Sequence, residues 1–353
     1  MKVKSHVMLD FHHPSGAKRE GGGQMLPDFL RSGRRPRIGV VINPLSGGNL
    51  NGLGDIRRVI NDYPQVVHCD VQTPQDVLAA LRDFANHEVD LVAVNGGDGT
   101  VQAVLTALFH HRPFEIQPLL AVLQSGTTSM TARDVGFSGS RVKSLEKLFR
   151  WAAIGTGNPR VIDRPVLRVQ APGHQTRYGM FFGASAIYQG IQYFHRKLNT
   201  KGLRGEVGPG LTILRFLWSA AHRGSDFIPP VPVTVTVDDH PPQQFDSFVV
   251  LVSTLERLFL GLYPFWGSES GPLHYTAVRA RPRHLLRALP SVLRGRSGAH
   301  GRPENGFYSH NSHEIKLNLT GGFTLDGQLY TPENRQEPTV VRYGGTATFL
   351  GIS

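Results

Sequence analysis

The chain has 353 residues, of which 40% are hydrophobic and 18% charged, and its formal net charge is +11 at pH 7. This length is sufficient for two domains of ordinary size, and the positive charge favours an anionic partner, either nucleic acid or a membrane surface. The sequence contains neither an apolar run of about 18 residues nor a zinc-binding or RNA-recognition signature. We therefore expect no membrane-spanning helix and no nucleic-acid partner.

Residues 1–36 are rich in lysine, arginine and glycine and contain neither an apolar core nor a cleavage signature. This composition predicts a disordered basic tail rather than a secretory signal. Folded sequence is expected to begin at Arg37.

From residue 37 onwards, short apolar runs alternate with segments of helical periodicity. The run Ile38–Ile42 is apolar and β-branched, as in a buried parallel strand. Similar runs at 66–71, 89–94 and 119–123 are each followed by a loop and a helical pattern. The alternation predicts a doubly wound α/β domain over residues 37–155.

After residue 155, strand patterns dominate the sequence. They predict an antiparallel β-sandwich over residues 156–353, with helical insertions near 209–222 and 282–294. The strand patterns lie at 161–169, 178–184, 231–237, 248–252, 275–278, 315–319 and 340–349.

The strongest chemical signal is the glycine-rich segment 95–100, which follows a predicted strand and precedes a predicted helix. Its three glycines leave the backbone bare, so that phosphate oxygens can approach the amide N–H groups, and the helix N-terminus adds positive potential. Asp98 places a carboxylate in this anion-binding segment, where its natural role is to hold magnesium directly or through water. The alternative is a tight strand-to-helix turn without a ligand.

Two further loops follow predicted strands. One contains Ser125, Gly126 and Thr127, and the other contains Asn43 and Ser46. Because loops at the carboxyl ends of parallel strands gather at one edge of the sheet, we expect all three loops to line one crevice.

In their order and spacing these segments resemble the diacylglycerol kinase catalytic-domain family, which includes bacterial lipid kinases, sphingosine kinases and ceramide kinases. The similar segments are Asn43-Pro44-Leu45-Ser46-Gly47, Gly96-Gly97-Asp98-Gly99-Thr100, Gly126-Thr127-Thr128 with Ala132-Arg133 and Gly136, Phe182-Gly183-Ala184-Ser185-Ala186, and Leu325-Asp326-Gly327-Gln328.

The resemblance implies a transferase with an ATP-binding α/β domain and a β-sandwich lipid domain. Such an enzyme moves the γ-phosphate of ATP to a lipid hydroxyl of the diacylglycerol, sphingoid or ceramide type, as in phospholipid biosynthesis. It would be a cytoplasmic monomer or homodimer that meets its lipid at the membrane surface. By matching position, Asp326 would be the general base. The residues expected to bind ATP and its Mg²⁺ are Asn43, Ser46, Gly47, Thr73, Gly96, Gly97, Asp98, Gly99, Thr100, Val101, Gln102, Ser125, Gly126 and Thr127.

The sequence departs from the family pattern in places. Ser129 and Met130 replace the Asn-Asp pair of the third motif, and Asp134, one helical turn beyond Met130, is a candidate substitute for the lost acid. The segment 263–271 has no aspartate where many members hold a structural magnesium, so we expect no such ion there. Gln328 replaces the glutamate of the late motif, which is a milder change.

Two segments keep alternatives open. Asp326-Gly327 is typical of a plain hairpin turn as well as of a catalytic carboxylate. The segment 281–296 predicts a helix with an apolar face and surrounding arginines, which suits either an anionic bilayer or packing against the β domain.

Two other functions also remain open. NAD kinases and phosphofructokinases use a similar glycine loop, although the sequence lacks the Thr-Gly-Ser-Thr-Ala segment of NAD kinases. A non-catalytic lipid or nucleotide sensor is the other alternative, because the Asn-Asp pair is missing.

Overall fold

The computed structural model describes residues 29, 34–50, 52–126, 129–137, 139–201 and 229–352. Most of the predicted tail and the whole insertion near 209–222 lie outside these residues. The chain divides into two compact units. The first unit consists of two chain segments, one that ends at Arg164 and one that begins at Thr346. The second unit is Pro165–Gly345.

The first unit is built on a parallel sheet. Its strands are β1 (Ile38–Ile42), β2 (Val67–Asp70), β3 (Leu91–Gly96) and β4 (Leu119–Gln124). They pair in the order β2-β1-β3-β4, and the end of the chain's final strand lies parallel to β4, with Phe349 beside Leu120. Strands β1 and β3 are buried throughout, as expected of a parallel sheet covered on both faces.

Helices cover both faces of this sheet, so the predicted doubly wound α/β architecture is confirmed. They are α1 (Leu53–Asn61), α2 (Pro74–Asn86), α3 (Asp98–Thr106, continued by a π-turn over Ala107–His111), α4 (Met130–Val135) and α5 (Arg141–Ile154). Ile56 of α1 and Leu145 of α5 share one core with Val40 and Ala93. On the other face, Phe84 of α2 packs so closely on β1 that a Cβ at Gly39 would lie 2.6 Å from its ring.

The second unit is a set of antiparallel strands with its own core. Neighbouring strands pair in the order β14-β13-β7-β9-β8-β12-β15, and β10 pairs with both β9 and β11. The strands are β5 (Pro159–Gln170), β6 (Arg177–Gly179), β7 (Phe181–Ser185), β8 (Val231–Val237), β9 (Gln243–Ser253), β10 (Leu273–Arg279), β11 (Phe307–Ser312), β12 (Glu314–Leu319), β13 (Phe323–Leu325), β14 (Gln328–Tyr330) and β15 (Thr339–Ile352). Two of the strands, β5 and β15, also extend into the first unit.

Two helices belong to this second part of the chain. Helix α6 (Ala186–Lys201) follows β7 directly and was not predicted, whereas α7 (Leu285–Val292) lies within the predicted insertion at 282–294. None of the helices in the described ranges is long and apolar enough to cross a lipid bilayer.

The predicted strand at 178–184 is broken at Met180. The N–H of Met180 donates to the carboxylate of Asp326, and its carbonyl accepts the hydroxyl of Ser253. Strand β11 was also missed, because its sequence Phe-Tyr-Ser-His-Asn-Ser is largely polar and lacks the apolar alternation of a half-buried strand.

Candidate functional site

The three loops expected to share a crevice are in contact at the carboxyl ends of β1, β3 and β4. The N–H of Asn43 donates to the carbonyl of Asn95 at 2.9 Å, and its side-chain Nδ2 donates to Thr100 Oγ1 at 2.9 Å. The N–H of Gly48 donates to the carbonyl of Ser125 at 2.8 Å. The structure therefore brings together the loops that the motifs singled out.

The first loop is stabilised by its own asparagines. Asn43 Oδ1 accepts the N–H of Leu45 at 2.9 Å, and the Asn43 carbonyl accepts the hydroxyl of Ser46 at 3.1 Å. Asn49 is buried and donates from Nδ2 to the carbonyls of Asn43 and Asn95. Sequence reasoning missed Asn49, because a loop asparagine gives no local signal that it links two strand ends.

Glycine is needed where the second and third loops meet. A Cβ at position 126 would lie 2.7 Å from Gly97 Cα, and a Cβ at position 96 would lie 2.5 Å from the side chain of Thr100. The two backbones can approach this closely only because residue 126 has no side chain. Gly97 caps α3, whose first N–H groups have no acceptor within the helix; such groups suit a phosphate.

Asp98 connects the glycine loop to α4. Its Oδ2 accepts the N–H of Met130 at 3.1 Å and its Oδ1 accepts the N–H of Thr131 at 3.2 Å. Burial raises the pKa of the Asp98 carboxyl, although these hydrogen bonds and Arg133 act in the opposite direction. In the described part of the chain, no three His, Cys, Asp or Glu side chains gather into a potential metal site. The magnesium role of Asp98 stays a prediction.

Ser129 and Met130 stand where the family pattern has Asn-Asp, and they stabilise their loop through the Ser129 hydroxyl and the Met130 N–H. Ser129 is left-handed, with φ 44°, and its Oγ both accepts the N–H of Gly126 at 3.0 Å and donates to the Gly126 carbonyl at 2.7 Å. An asparagine tolerates this backbone region better than most residues. The side chain of Met130 is buried, and its N–H supplies the bond to Asp98.

Asp134, the candidate substitute for the missing acid, forms an ion pair with Arg164. Asp134 Oδ2 lies 2.8 Å from Arg164 Nε, and both side chains are buried. The Asp134 carboxylate is thus used in a buried ion pair of the first unit, and removal of either charge would leave the other one uncompensated.

Several predicted nucleotide residues have side chains directed elsewhere. Thr73 caps α2, where its Oγ accepts the N–H of Asp76 while the Asp76 carboxylate accepts the N–H of Thr73. The side chains of Val101 and Gln102 are buried, so a nucleotide would have to approach their backbone. Gly47 lies in the first loop as predicted, whereas Gly99 lies in the first turn of α3. Thr127 lies outside the described residues.

Arg141, the first residue of α5, is a cation that sequence reasoning missed. A Cβ at Gly48 would lie 2.8 Å from Arg141 Nη1, and a Cβ at Gly52 would collide with Nη2; the guanidinium therefore packs on the loop after β1. Arg141 Nε is buried and has no hydrogen-bond partner within the described ranges. Burial lowers the pKa of Arg141, and Asp55 opposes this shift. A cation at a helix N-terminus is unfavourable, because this end of the helix dipole is positive; a bound anion would offset the repulsion.

Asp326 lies in the second unit, at the hairpin between β13 and β14. Asp326 and Gly327 have φ values of 48° and 86°, as in a two-residue hairpin turn, so the hairpin alternative is correct for the backbone. The Asp326 carboxylate is 3% exposed and accepts the N–H groups of Met180 and Phe181 at 2.9–3.2 Å. These donors hold the carboxylate in one orientation. Asp326 is therefore part of a hairpin turn, and its carboxylate is held in place by backbone N–H groups.

The segment 263–271 carries Glu269 instead of an aspartate. Glu269 accepts His310 Nδ1 at 2.7 Å and the N–H of Asn311 at 3.0 Å. Burial raises the pKa of this carboxyl, but the hydrogen bonds outweigh burial and lower the pKa to about 2. This carboxylate anchors the segment to β11.

Comparison with known proteins agrees with the motifs. The family model described as the diacylglycerol kinase catalytic domain matches residues 37–156. A protein of Stenotrophomonas maltophilia (strain K279a) named "Probable lipid kinase YegS-like" is 31% identical over 145 residues, which are 40% of this chain and 43% of that protein. The chain thus matches less than half of the length of this curated relative.

Solved structures resemble nearly the whole chain. A diacylglycerol kinase from Bacillus anthracis str. Sterne superposes with a TM-score of 0.54 at 19% identity, over 90% of this chain and 96% of that chain. Two further structures from the same strain give TM-scores of 0.57 at 18% and 19% identity. At this identity the likeness establishes the fold, and it confirms the predicted α/β plus β architecture.

Proposed function

We propose that the chain is an ATP-dependent lipid kinase, because the family model of the diacylglycerol kinase catalytic domain matches residues 37–156. The observation that carries the proposal is the close contact of the glycine loops after β3 and β4, where a Cβ at position 126 would lie 2.7 Å from Gly97 Cα. Bare backbone N–H groups at a helix N-terminus bind phosphates well.

The first unit would bind the nucleotide. The loops after β1, β3 and β4 would surround the phosphates, and the Arg141 guanidinium would add a charge-assisted hydrogen bond to them. An anion there would give the buried Arg141 Nε the partner that it lacks among the described residues. It would also offset the unfavourable position of this cation at a helix N-terminus.

The second unit would supply the base. In the reaction, the lipid hydroxyl oxygen bonds to the γ-phosphorus, the bond to the ADP oxygen breaks, and Asp326 takes the hydroxyl proton. The N–H groups of Met180 and Phe181 support this role, because they hold the carboxylate in one position. A lipid acceptor would place the enzyme at a membrane surface.

Mg²⁺ would accompany ATP and offset the charge of the transferred phosphoryl group. Both oxygens of Asp98 already accept backbone N–H groups, so the residue fits a contact to the ion through water better than a direct one. Phosphate oxygens would supply most of the ligands.

A second candidate is a non-catalytic lipid or nucleotide sensor. It is favoured by the burial of Asp326, whose carboxylate is used in a hairpin turn, and by the absence of the Asn-Asp pair at Ser129 and Met130. A sensor would bind ATP with the same loops but would not turn it over.

ADP release, measured with Mg-ATP and separate acceptors, distinguishes these functions. A lipid kinase releases ADP only when detergent-dispersed diacylglycerol, ceramide or a sphingoid base is added. Release that responds to NAD and not to lipids would support a kinase of a soluble acceptor. Tight ATP binding without release in any mixture would support the sensor.

A further inference from the structure

Residues 280–302 form an unusually basic part of the second unit. They include six arginines and neither aspartate nor glutamate, and all six arginines are exposed. They are Arg281, Arg283, Arg287, Arg294, Arg296 and Arg302. Such a concentration of one charge attracts an anionic partner.

Helix α7, in the middle of this segment, is apolar on two sides. Ala288 and Val292 are buried and attach the helix to its unit. Leu286 is 51% exposed, and Pro290, four residues later, is also exposed. Residues four apart are neighbours on a helix surface, so Leu286 and Pro290 form an apolar strip that faces solvent.

A second exposed leucine lies on a loop that is attached to the end of α7. The N–H of Tyr263 donates to the carbonyl of Leu293 at 3.1 Å. Leu260, three residues before Tyr263, is 57% exposed. Exposed leucines therefore lie both in the basic segment and on a loop that is connected to it.

We propose that Leu286, Pro290 and the six arginines, here called the α7 surface, dock on an anionic lipid bilayer. Arginines attract anionic headgroups, and apolar side chains between them enter the boundary with the acyl chains. A nucleic acid would use the arginines alone, so the exposed leucines favour the bilayer. The proposal deepens the proposed function, on which it rests, because a lipid acceptor has to be reached in its membrane.

Sedimentation of the full chain with vesicles tests this surface without any nucleotide. The vesicles contain phosphatidylcholine with or without phosphatidylglycerol. We expect binding only with phosphatidylglycerol, a loss of binding at high salt, and about fivefold weaker partitioning for each arginine neutralised. The variants are Arg283→Gln with Arg287→Gln, and Leu286→Ser. The control is Arg150→Gln with Arg335→Gln, which removes the same charge from exposed positions elsewhere.

The outcomes separate this proposal from the proposed function. Weaker vesicle binding by both α7 variants but not by the control supports the surface, even if no phosphoryl transfer is ever found. Equal losses in the control and the arginine variant would overturn it, because net charge alone would then explain binding. Full vesicle binding by Leu286→Ser, together with equally tight binding to a DNA duplex, would also overturn it and indicate a general polyanion surface.

Discussion

The carboxylate of Asp98 accepts the backbone N–H of Met130 at 3.1 Å, and this bond links the glycine loop after β3 to the helix after β4. Met130 stands where the family pattern has an acid, but it contributes only its N–H, which any residue except proline can donate. The replacement of Asn-Asp by Ser129 and Met130 therefore leaves this link between the two loops intact.

Removal of the Asp98 carboxylate should loosen this link. In Asp98→Ala, the N–H groups of Met130 and Thr131 lose their acceptor, which costs about 1–3 kcal/mol of unfolding free energy, and the dissociation constant for ATP rises. Urea unfolding and calorimetry measure the two effects. Asp76→Ala is the control, because Asp76 caps α2 with Thr73 and its loss should reduce stability alone. Unchanged stability and ATP binding in Asp98→Ala would contradict the account.

The contact between the two glycine loops predicts different results for two similar substitutions. In Gly126→Ala the new Cβ would lie 2.7 Å from Gly97 Cα, whereas in Gly97→Ala its nearest neighbour would be Gly126 Cα at 3.5 Å, an ordinary contact. We expect Gly126→Ala to weaken ATP binding about tenfold or more, since the backbones must separate. Gly97→Ala should bind nearly as the wild type. Equal ATP affinities for the two variants would show that the spacing of the loops does not matter.

Arg141 should affect ATP binding and stability in opposite directions. In Arg141→Gln we expect about tenfold weaker ATP binding through loss of a charge-assisted hydrogen bond. The free energy of unfolding should stay the same or rise, because the partial burial of this cation is costly. Arg150→Gln, on the exposed side of the same helix, is the control. Lower stability with unchanged ATP affinity would mean that Arg141 acts only in packing.

Substitutions of the two residues in the β13–β14 turn distinguish an effect on catalysis from an effect on folding stability. Asp326→Asn removes the proposed base, and it also turns an amide NH₂ towards the backbone donors, so both turnover and stability should fall. Gly327→Ala strains the turn at φ 86° without any atom within 4 Å of the new Cβ, which costs about 1–2 kcal/mol. We expect turnover to fall about 10²-fold or more only in Asp326→Asn.

The melting temperatures of both turn variants and their ATP affinities provide the control for this comparison. If turnover falls equally in Asp326→Asn and Gly327→Ala, in proportion to lost stability, Asp326 is a structural residue. That result would favour the non-catalytic sensor.

Local patterns were sufficient to predict much of this molecule. The parallel strands of the first unit follow from their apolar runs, and the start of α2 follows from Thr73 and Pro74, whose capping geometry depends on neighbouring residues alone. The glycine loop could be located from the sequence, because the positions where a Cβ would clash, such as Gly96 and Gly126, are themselves glycines.

Features that depend on distant residues could not be predicted. The strand break at Met180 depends on Asp326, 146 positions away, and Arg141 meets Gly48 only through the folded chain. The return of residues 346–352 to the first unit likewise has no local signal. Each of these is a long-range contact, and apolar periodicity carries no information about the partner.

The most direct test of the central claim is transfer of labelled phosphate from γ-labelled ATP to a total lipid extract. After incubation with Mg²⁺ and the purified chain, the mixture is separated into organic and aqueous phases, and the labelled product is identified by its mass. The account predicts label in an organic-phase lipid whose mass has increased by one phosphate, and no such label with Asp326→Asn. Label that stays in ATP, or that moves only to inorganic phosphate or a water-soluble acceptor, would contradict it.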